Sequence, residues 1–184
     1  MAGPPLTWDA IRTGRARVAT EASYTGLAAA RRARSAAKAI GAGRELLSFR
    51  LAGEDYALDI IRIREIIKPA PLTEVPRAPA FVPGIISVRG TIVPVIDLRL
   101  RLRLAVSPPT KLSRIMIVRK EEELYGLLVD EVRQPERLRD ADIEPTPAVI
   151  GGIEAEFIAG IGRTENRLLI LLNLDSVLTF EEPR

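Results

Sequence analysis

GIISVRGTIVPVIDLR, running from Gly84 to Arg99, places a single cation and a glycine at the tip of an otherwise apolar hairpin. Ile85, Ile86 and Val88 lead into Arg89-Gly90-Thr91, and Ile92, Val93, Val95 and Ile96 lead out, which reads as strand, glycine-containing turn, strand. Both strands are almost wholly apolar, so each is expected to be covered on both faces, with the charged group reaching solvent mainly at the turn. Pro94 has no N–H to donate to a ladder, which predicts that the outgoing strand lies at a sheet edge or carries a bulge. An arginine exposed beside such an edge suits docking. On these residues alone it also suits an ordinary solvated turn, the simpler reading.

Working outward, the same two-residue period governs the rest of the body. Leu47, Phe49 and Leu51 alternate with Ser48 and Arg50, Ala52-Gly53-Glu54-Asp55 makes a turn, and Tyr56, Leu58 and Ile60 resume the alternation, which describes a hairpin. Pro69, Pro71, Pro76, Pro79 and Pro83 then keep Lys68 to Pro83 out of regular helix and predict an extended surface connector. After Ser107-Pro108-Pro109-Thr110 the pattern recurs: Ile115 to Val118, an acidic turn at Glu121 to Glu123, then Tyr125, Leu127 and Val129. Setting Tyr125 over Tyr56 places Glu123 over Glu54, Leu127 over Leu58 and Arg133 over Arg64. A second proline-bearing connector holds Pro135, Pro145 and Pro147, Gly160-Ile161 echoes Gly84-Ile85, and Asn173-Leu174 echoes Asp97-Leu98. The chain thus reads as two copies of one small β unit, and two packed barrels of roughly 65 to 70 residues each suit its length.

Composition narrows the chemistry. The 184 residues include no cysteine and no histidine, which removes thiol nucleophiles, disulfides, imidazole bases and imidazole metal ligands together. Asp140, Asp142 and Glu144 alternate as calcium ligands do, but Pro145 stands where that loop needs glycine, so a solvated connector is expected. Gly41-Ala42-Gly43 and Gly160-Ile161-Gly162 are followed three residues on by Leu46 and Glu165, so neither completes a dinucleotide fingerprint. Glu121 to Glu123 read as a solubilising turn, and Tyr56 and Tyr125 as core residues with a polar tip. What remains is a binding surface, with no enzyme activity and no cofactor expected.

Charge is uneven. Met1 to Arg44 carry eight Lys/Arg against two acids, a net +6, leaving 19 basic and 22 acidic residues, −3, for the body. Thr20 to Ile40, rich in Ala and Arg, favours a helix closed by Gly41 and Gly43, although its thin alanine face fits either a helix docked on a partner or a mobile arm. Aromatics are only 4% of residues, so nucleic acid is not expected on the body. A reading from a different class keeps the barrels as a platform and lets the basic arm bind nucleic acid or anionic membrane. MAGPPLTWDA shows no basic segment followed by an apolar run, so no secretory signal is expected and the cytoplasm is the default address.

The Gly84 to Arg99 stretch resembles the signature of the CheW family of bacterial chemotaxis coupling proteins: a Gly-led apolar entry, an Arg-Gly turn, then hydrophobic-Pro-hydrophobic-hydrophobic-Asp-Leu-Arg. LLSFRLAGEDYALDIIRIREI (Leu46 to Ile66), LLVDEVRQ (Leu127 to Gln134), DIEPTP (Asp142 to Pro147) and LLILLNLDSVL (Leu168 to Leu178) resemble the same family in the same order. The resemblance implies an all-β fold of two SH3-like five-stranded barrels over residues 45–184, sharing an apolar seam, preceded by a basic extension over 1–44 that is helical or disordered. It implies an adaptor without catalysis that bridges the regulatory domain of a CheA histidine kinase to the cytoplasmic tip of methyl-accepting chemoreceptors. Contacts between CheW copies and a cytoplasmic place at receptor arrays also follow, with membrane reached only through the receptors. By the same resemblance Arg89 and Gly90 form the receptor-proximal turn, Ile63 and Glu65 lie beside it on the first barrel, and Val129 to Val132, with Val132 at its end, lines the inter-barrel groove on the second. Pro83 stands where many relatives carry a charged residue, and the extension has no counterpart in a minimal coupling protein.

Overall fold

The computed structural model describes residues 43–146, 149–150 and 153–180. The helix or mobile arm expected over 1–44 lies outside the described residues, apart from Gly43 and Arg44. The first alternating segment folds as β1 (Arg44–Leu51) and β2 (Glu54–Asp59), joined through Ala52 and Gly53, both at positive φ. β3 (Ile63–Ile67), β4 (Gly84–Val88) and β5 (Thr91–Asp97) follow, then the one-turn helix α1 (Leu98–Arg101). The second half gives β6 (Arg114–Lys120), β7 (Glu123–Val129), β8 (Glu131–Leu138) and the short β9 (Ile143–Glu144), β10 (Val149–Ile150) and β11 (Ile153–Glu154). β12 (Ile158–Arg163), β13 (Leu168–Leu172) and the one-turn α2 (Leu174–Val177) complete it. Among the described residues no helix is long and apolar enough to cross a membrane.

The internal echo is physical. Asp97 and Asn173, superposed by the two-copy reading, each cap the helix they precede: Asp97 accepts from the N–H groups of Arg99 and Leu100, Asn173 from that of Ser176. β2 pairs in parallel with β13, Tyr56 opposite Ile170, and its counterpart β7 pairs in parallel with β5, Val95 opposite Gly126. The two sheets have strand orders β3-β6-β7-β5-β4 and β8-β1-β2-β13-β12, the latter extended by the two-residue β9. Each barrel therefore takes its central hairpin from the other repeat. The sequence reading, which treated each barrel as one continuous unit, missed this exchange because a period of two reports which face is buried and not which strand is the neighbour.

Each sheet closes on itself. In the first barrel Ile67 of β3 and Ile86 and Val88 of β4, the two edge strands, join Val93, Val95, Ile115 and Ile117 in one interior cluster. In the second, Leu46, Ala57, Leu138, Leu169 and Leu171 do the same, and Gly162 leaves no space for a Cβ against the Leu138 side chain. The opposite faces of the same strands form the largest cluster, the seam between barrels, where Phe49, Tyr56, Leu58, Ile96, Met116, Leu127, Leu172 and Val177 meet. Ile86 and Val88 of β4 and Val93 and Val95 of β5 point into the barrel, while Ile85 and Ile92 pack with Val75 of the connector and Ile96 enters the seam, so the signature strands are covered on both faces as expected.

Pro94 corrects one expectation. β5 lies between β4 and β7, at neither edge, and its ladder with β4 is regular, with Ile85 opposite Pro94. The proline is accommodated because the parallel ladder to β7 begins only at Val95. The true edges are β3 and β4. β4 is covered by the proline-rich connector, whose Thr73 exchanges two backbone hydrogen bonds with Ile85 at 3.0 and 2.9 Å. The bulge lies in β3, between Ile63 and Glu65.

The signature's closing Asp-Leu-Arg is structural. Leu98 is fully buried in the seam, and Arg99 makes a two-pronged ion pair with Asp130 at the β7–β8 crossover, Nε to Oδ1 at 2.9 Å and an Nη to Oδ2 at 2.6 Å. Asp130 Oδ2 also accepts from the Ala52 N–H at 2.8 Å, so one carboxylate ties α1, the crossover and the β1–β2 turn. Arg99→Ala is expected to lower unfolding stability by about 1.5 to 3 kcal/mol in urea titrations, with Arg99→Lys recovering only part because an ammonium lacks the planar fork. Burial, aided by the charge of Glu54, pushes the Tyr56 phenol up from 10.0 to about 12. Both states are neutral below pH 10, and above it the unfolded chain ionises first, so this contribution is present below pH 10 and lost as pH rises towards 12. Unfolding free energy is expected to fall by up to about 3 kcal/mol over that window, and Tyr56→Phe to remove this component of the slope.

Candidate functional site

Arg89 and Gly90 occupy the two central positions of the β4–β5 turn at φ of 50° and 79°, the left-handed pair that a tight hairpin turn requires. Glycine meets that requirement without strain, and the geometry fixes the direction in which Arg89 leaves the sheet. Its guanidinium crosses the gap between the two edge strands of the first barrel and meets Glu65 on β3, Nε to Oε1 at 3.5 Å. Arg89 is half exposed there and the Glu65 side chain only 5% exposed.

The β3 bulge explains this placement. Ile67 faces the barrel interior, and Glu65, two residues earlier, shares its face at the barrel mouth. The extra residue then shifts the phase, so Ile63 turns into the seam beside Phe49 and Val118 instead of following Glu65. Glu65 Oε2 is buried and has no hydrogen-bond partner among the described residues. A carboxylate taken out of water with one loose ion pair is poorly compensated and favours an additional donor.

Around this pair lies a groove of about 370 Å³ lined by Ile61, Arg62, Ile63, Arg64, Glu65, Arg89 and Arg119. Ile61 is exposed to 74% on the 3₁₀ turn that leads into β3, a turn capped by the Asp59 side chain accepting from the Ile61 N–H. Arg62 reaches away from the groove. Its Nε donates to the Arg119 carbonyl at 3.2 Å and an Nη to Asp175 Oδ1 of α2 at 2.7 Å, joining the groove to the other barrel. That hydrogen bond holds the Asp175 carboxyl below the usual carboxylate range.

The structure sets Arg89 and Gly90 beside Glu65, while Ile63, expected on the neighbouring surface, lines the groove but is 6% exposed with its side chain in the seam. Val129 and Val132 do not join them. The Val129 to Val132 segment, expected on the second barrel, is the crossover between barrels: Val129 ends β7 of the first sheet and Val132 sits in β8 of the second, opposite Phe49. Val129 is 2% exposed within the seam and offers no surface to a partner, while Val132 is half-buried against the same cluster. Ile61, Arg64 and Arg119 were not singled out from sequence. Arg62-Ile63-Arg64 alternates like any half-buried strand, and only the pairing of Ile63 with Val118 sets Arg119 beside it.

Comparison with known proteins agrees with this architecture. Residues 45–182 match the CheW-like domain. The chain is 37% identical over 140 residues to the chemotaxis protein CheW of Rhizobium meliloti, covering 76% of this chain and 90% of that one. It is 31% identical over 134 residues to the chemotaxis protein CheW of Helicobacter pylori, covering 73% and 81%. The crystal structure of the scaffolding protein TtCheW from Thermoanaerobacter tengcongensis superposes with a TM-score of 0.72 at 35% identity, over 77% of this chain and 96% of that one. With its paired barrels, apolar seam and Arg-Gly turn, this chain belongs to the CheW family of chemotaxis adaptors.

Proposed function

We propose that this adaptor bridges the regulatory domain of a CheA-type histidine kinase to the cytoplasmic tip of methyl-accepting chemoreceptors, working by binding alone at receptor arrays in the cytoplasm. The observation that carries this reading is the Arg89 turn, a cation held in a fixed direction beside a buried, under-bonded carboxylate and an exposed isoleucine. Such a combination offers both signs of charge for register and an apolar anchor for burial.

An adaptor of this kind acts on a kinase in two ways. It raises the local concentration of kinase at the receptor through two simultaneous contacts, and it transmits a signal only where it binds one kinase conformation better than another. The Arg62–Asp175 ion pair links the groove on one barrel to α2 on the other. Contacts between copies of this chain fit the same scheme.

Arg89→Glu is expected to keep the far-UV spectrum but to lower the unfolding midpoint, because it removes the ion-pair partner of the buried Glu65 and sets a like charge beside it, so binding is compared below that midpoint. Binding in a pull-down with receptor tip and kinase should weaken by about 2 to 5 kcal/mol, reversal costing more than Arg89→Ala because it offers the partner the opposite charge. Unchanged binding of a folded Arg89→Glu protein would remove the turn from the docking face.

A further inference from the structure

The docking groove carries a surplus of positive charge that the fold does not consume. Four of its seven lining residues are arginines, and only one is acidic. Two of the four are committed: Arg62 to Asp175 at 2.7 Å, and Arg89 to Glu65 at 3.5 Å. Arg64 and Arg119 are exposed, and among the described residues neither forms an ion pair or a side-chain hydrogen bond. The acids of the neighbouring β6–β7 tip do not satisfy Arg119 either: Glu123 accepts from the Tyr125 hydroxyl at 2.5 Å, and Glu121 and Glu122 form no ion pair. Glu65 does not cancel the excess towards a partner, because its carboxylate is buried beneath Arg89.

We infer that this groove selects an acidic segment of its partner, with Arg64 and Arg119 as the charge-specific contacts and Ile61 as an apolar anchor in the same groove. The inference rests on the reading of the Arg89 groove as the docking face and adds the chemistry of what docks there. Two uncommitted guanidiniums in one groove with an isoleucine that is 74% exposed suit a segment that presents carboxylates close to an apolar residue. Neither arginine stabilises the fold through an ion pair, so their charges are available at no cost to stability when a partner arrives. As exposed cations they also speed encounter with an acidic partner, an effect that salt screens.

The test uses the full chain and a purified cytoplasmic fragment of a methyl-accepting chemoreceptor from the same organism, by titration at several salt concentrations. Arg64→Gln and Arg119→Gln should each weaken binding by about 2- to 5-fold with an unchanged melting temperature, and the double reversal Arg64→Glu with Arg119→Glu by about 10-fold or more. The dependence of log Kd on log salt should flatten in the double variant. Replacing a tip carboxylate by lysine should restore binding to Arg64→Glu. Affinity and salt slope unchanged in the double reversal, while Arg89→Glu still disrupts binding, would overturn the acidic-partner inference and leave the docking face in place. No effect from any of these variants, Arg89→Glu included, would overturn both.

Discussion

The apolar seam between the two barrels is the constraint on which everything else in this fold depends. It is the largest cluster of buried side chains, and strands from both sheets enter it with alternate residues while their other faces fill the barrel interiors. Neither barrel can keep its outer face in water, because Phe49, Tyr56 and Leu58 on one side and Met116, Val118 and Leu127 on the other would then form large exposed apolar patches. Association of the barrels is therefore part of folding. The exchange of hairpins between repeats makes the two inseparable in topology as well as in energy.

That arrangement also places the Arg89 groove. Closing a five-stranded sheet brings its edges together, and at the mouth of the first barrel the closure sets the β4–β5 tip against β3. Arg89 meets Glu65 there because two edge strands must meet somewhere, and the bulge turns Glu65 towards the mouth while sending Ile63 into the seam. The corresponding turn of the second barrel carries Glu165 and Asn166 in place of Arg89 and Gly90, so repetition of the scaffold did not repeat the site. A pseudo-symmetric fold thereby presents two chemically different ends, which suits an adaptor that must hold different partners at once.

Polar groups at the seam's margins are used as ties. Asp130 takes the Arg99 fork and a backbone N–H from the β1–β2 turn, and Arg101 lies over the rings of Phe81 and Phe157 at 4.7 and 4.6 Å while donating to the last carbonyls of α2. Both arginines belong to α1, so one short helix is tied to the β7–β8 crossover and to α2. Burial disfavours the charged form of Arg101 and lowers its pKa, an effect partly countered by the nearby charges of Glu156 and Glu154.

Much of this was legible in the residues themselves. The two-residue period marked the strands, Arg89-Gly90 marked a glycine-containing turn, and the echoes of Tyr56 by Tyr125 and of Asp97-Leu98 by Asn173-Leu174 marked the duplication. All of these are local: each depends on backbone sterics or on hydrogen bonds within a few residues, which the order of side chains specifies directly. Tertiary structure alone decided that each hairpin serves the opposite barrel, that Pro94 sits inside a sheet, that Val129 is sealed in the seam, and that Arg119 stands beside Arg64 and Ile61. The reason is that alternation determines which face of a strand is buried but is indifferent to its neighbour, and the choice of neighbour follows from packing the whole seam at once.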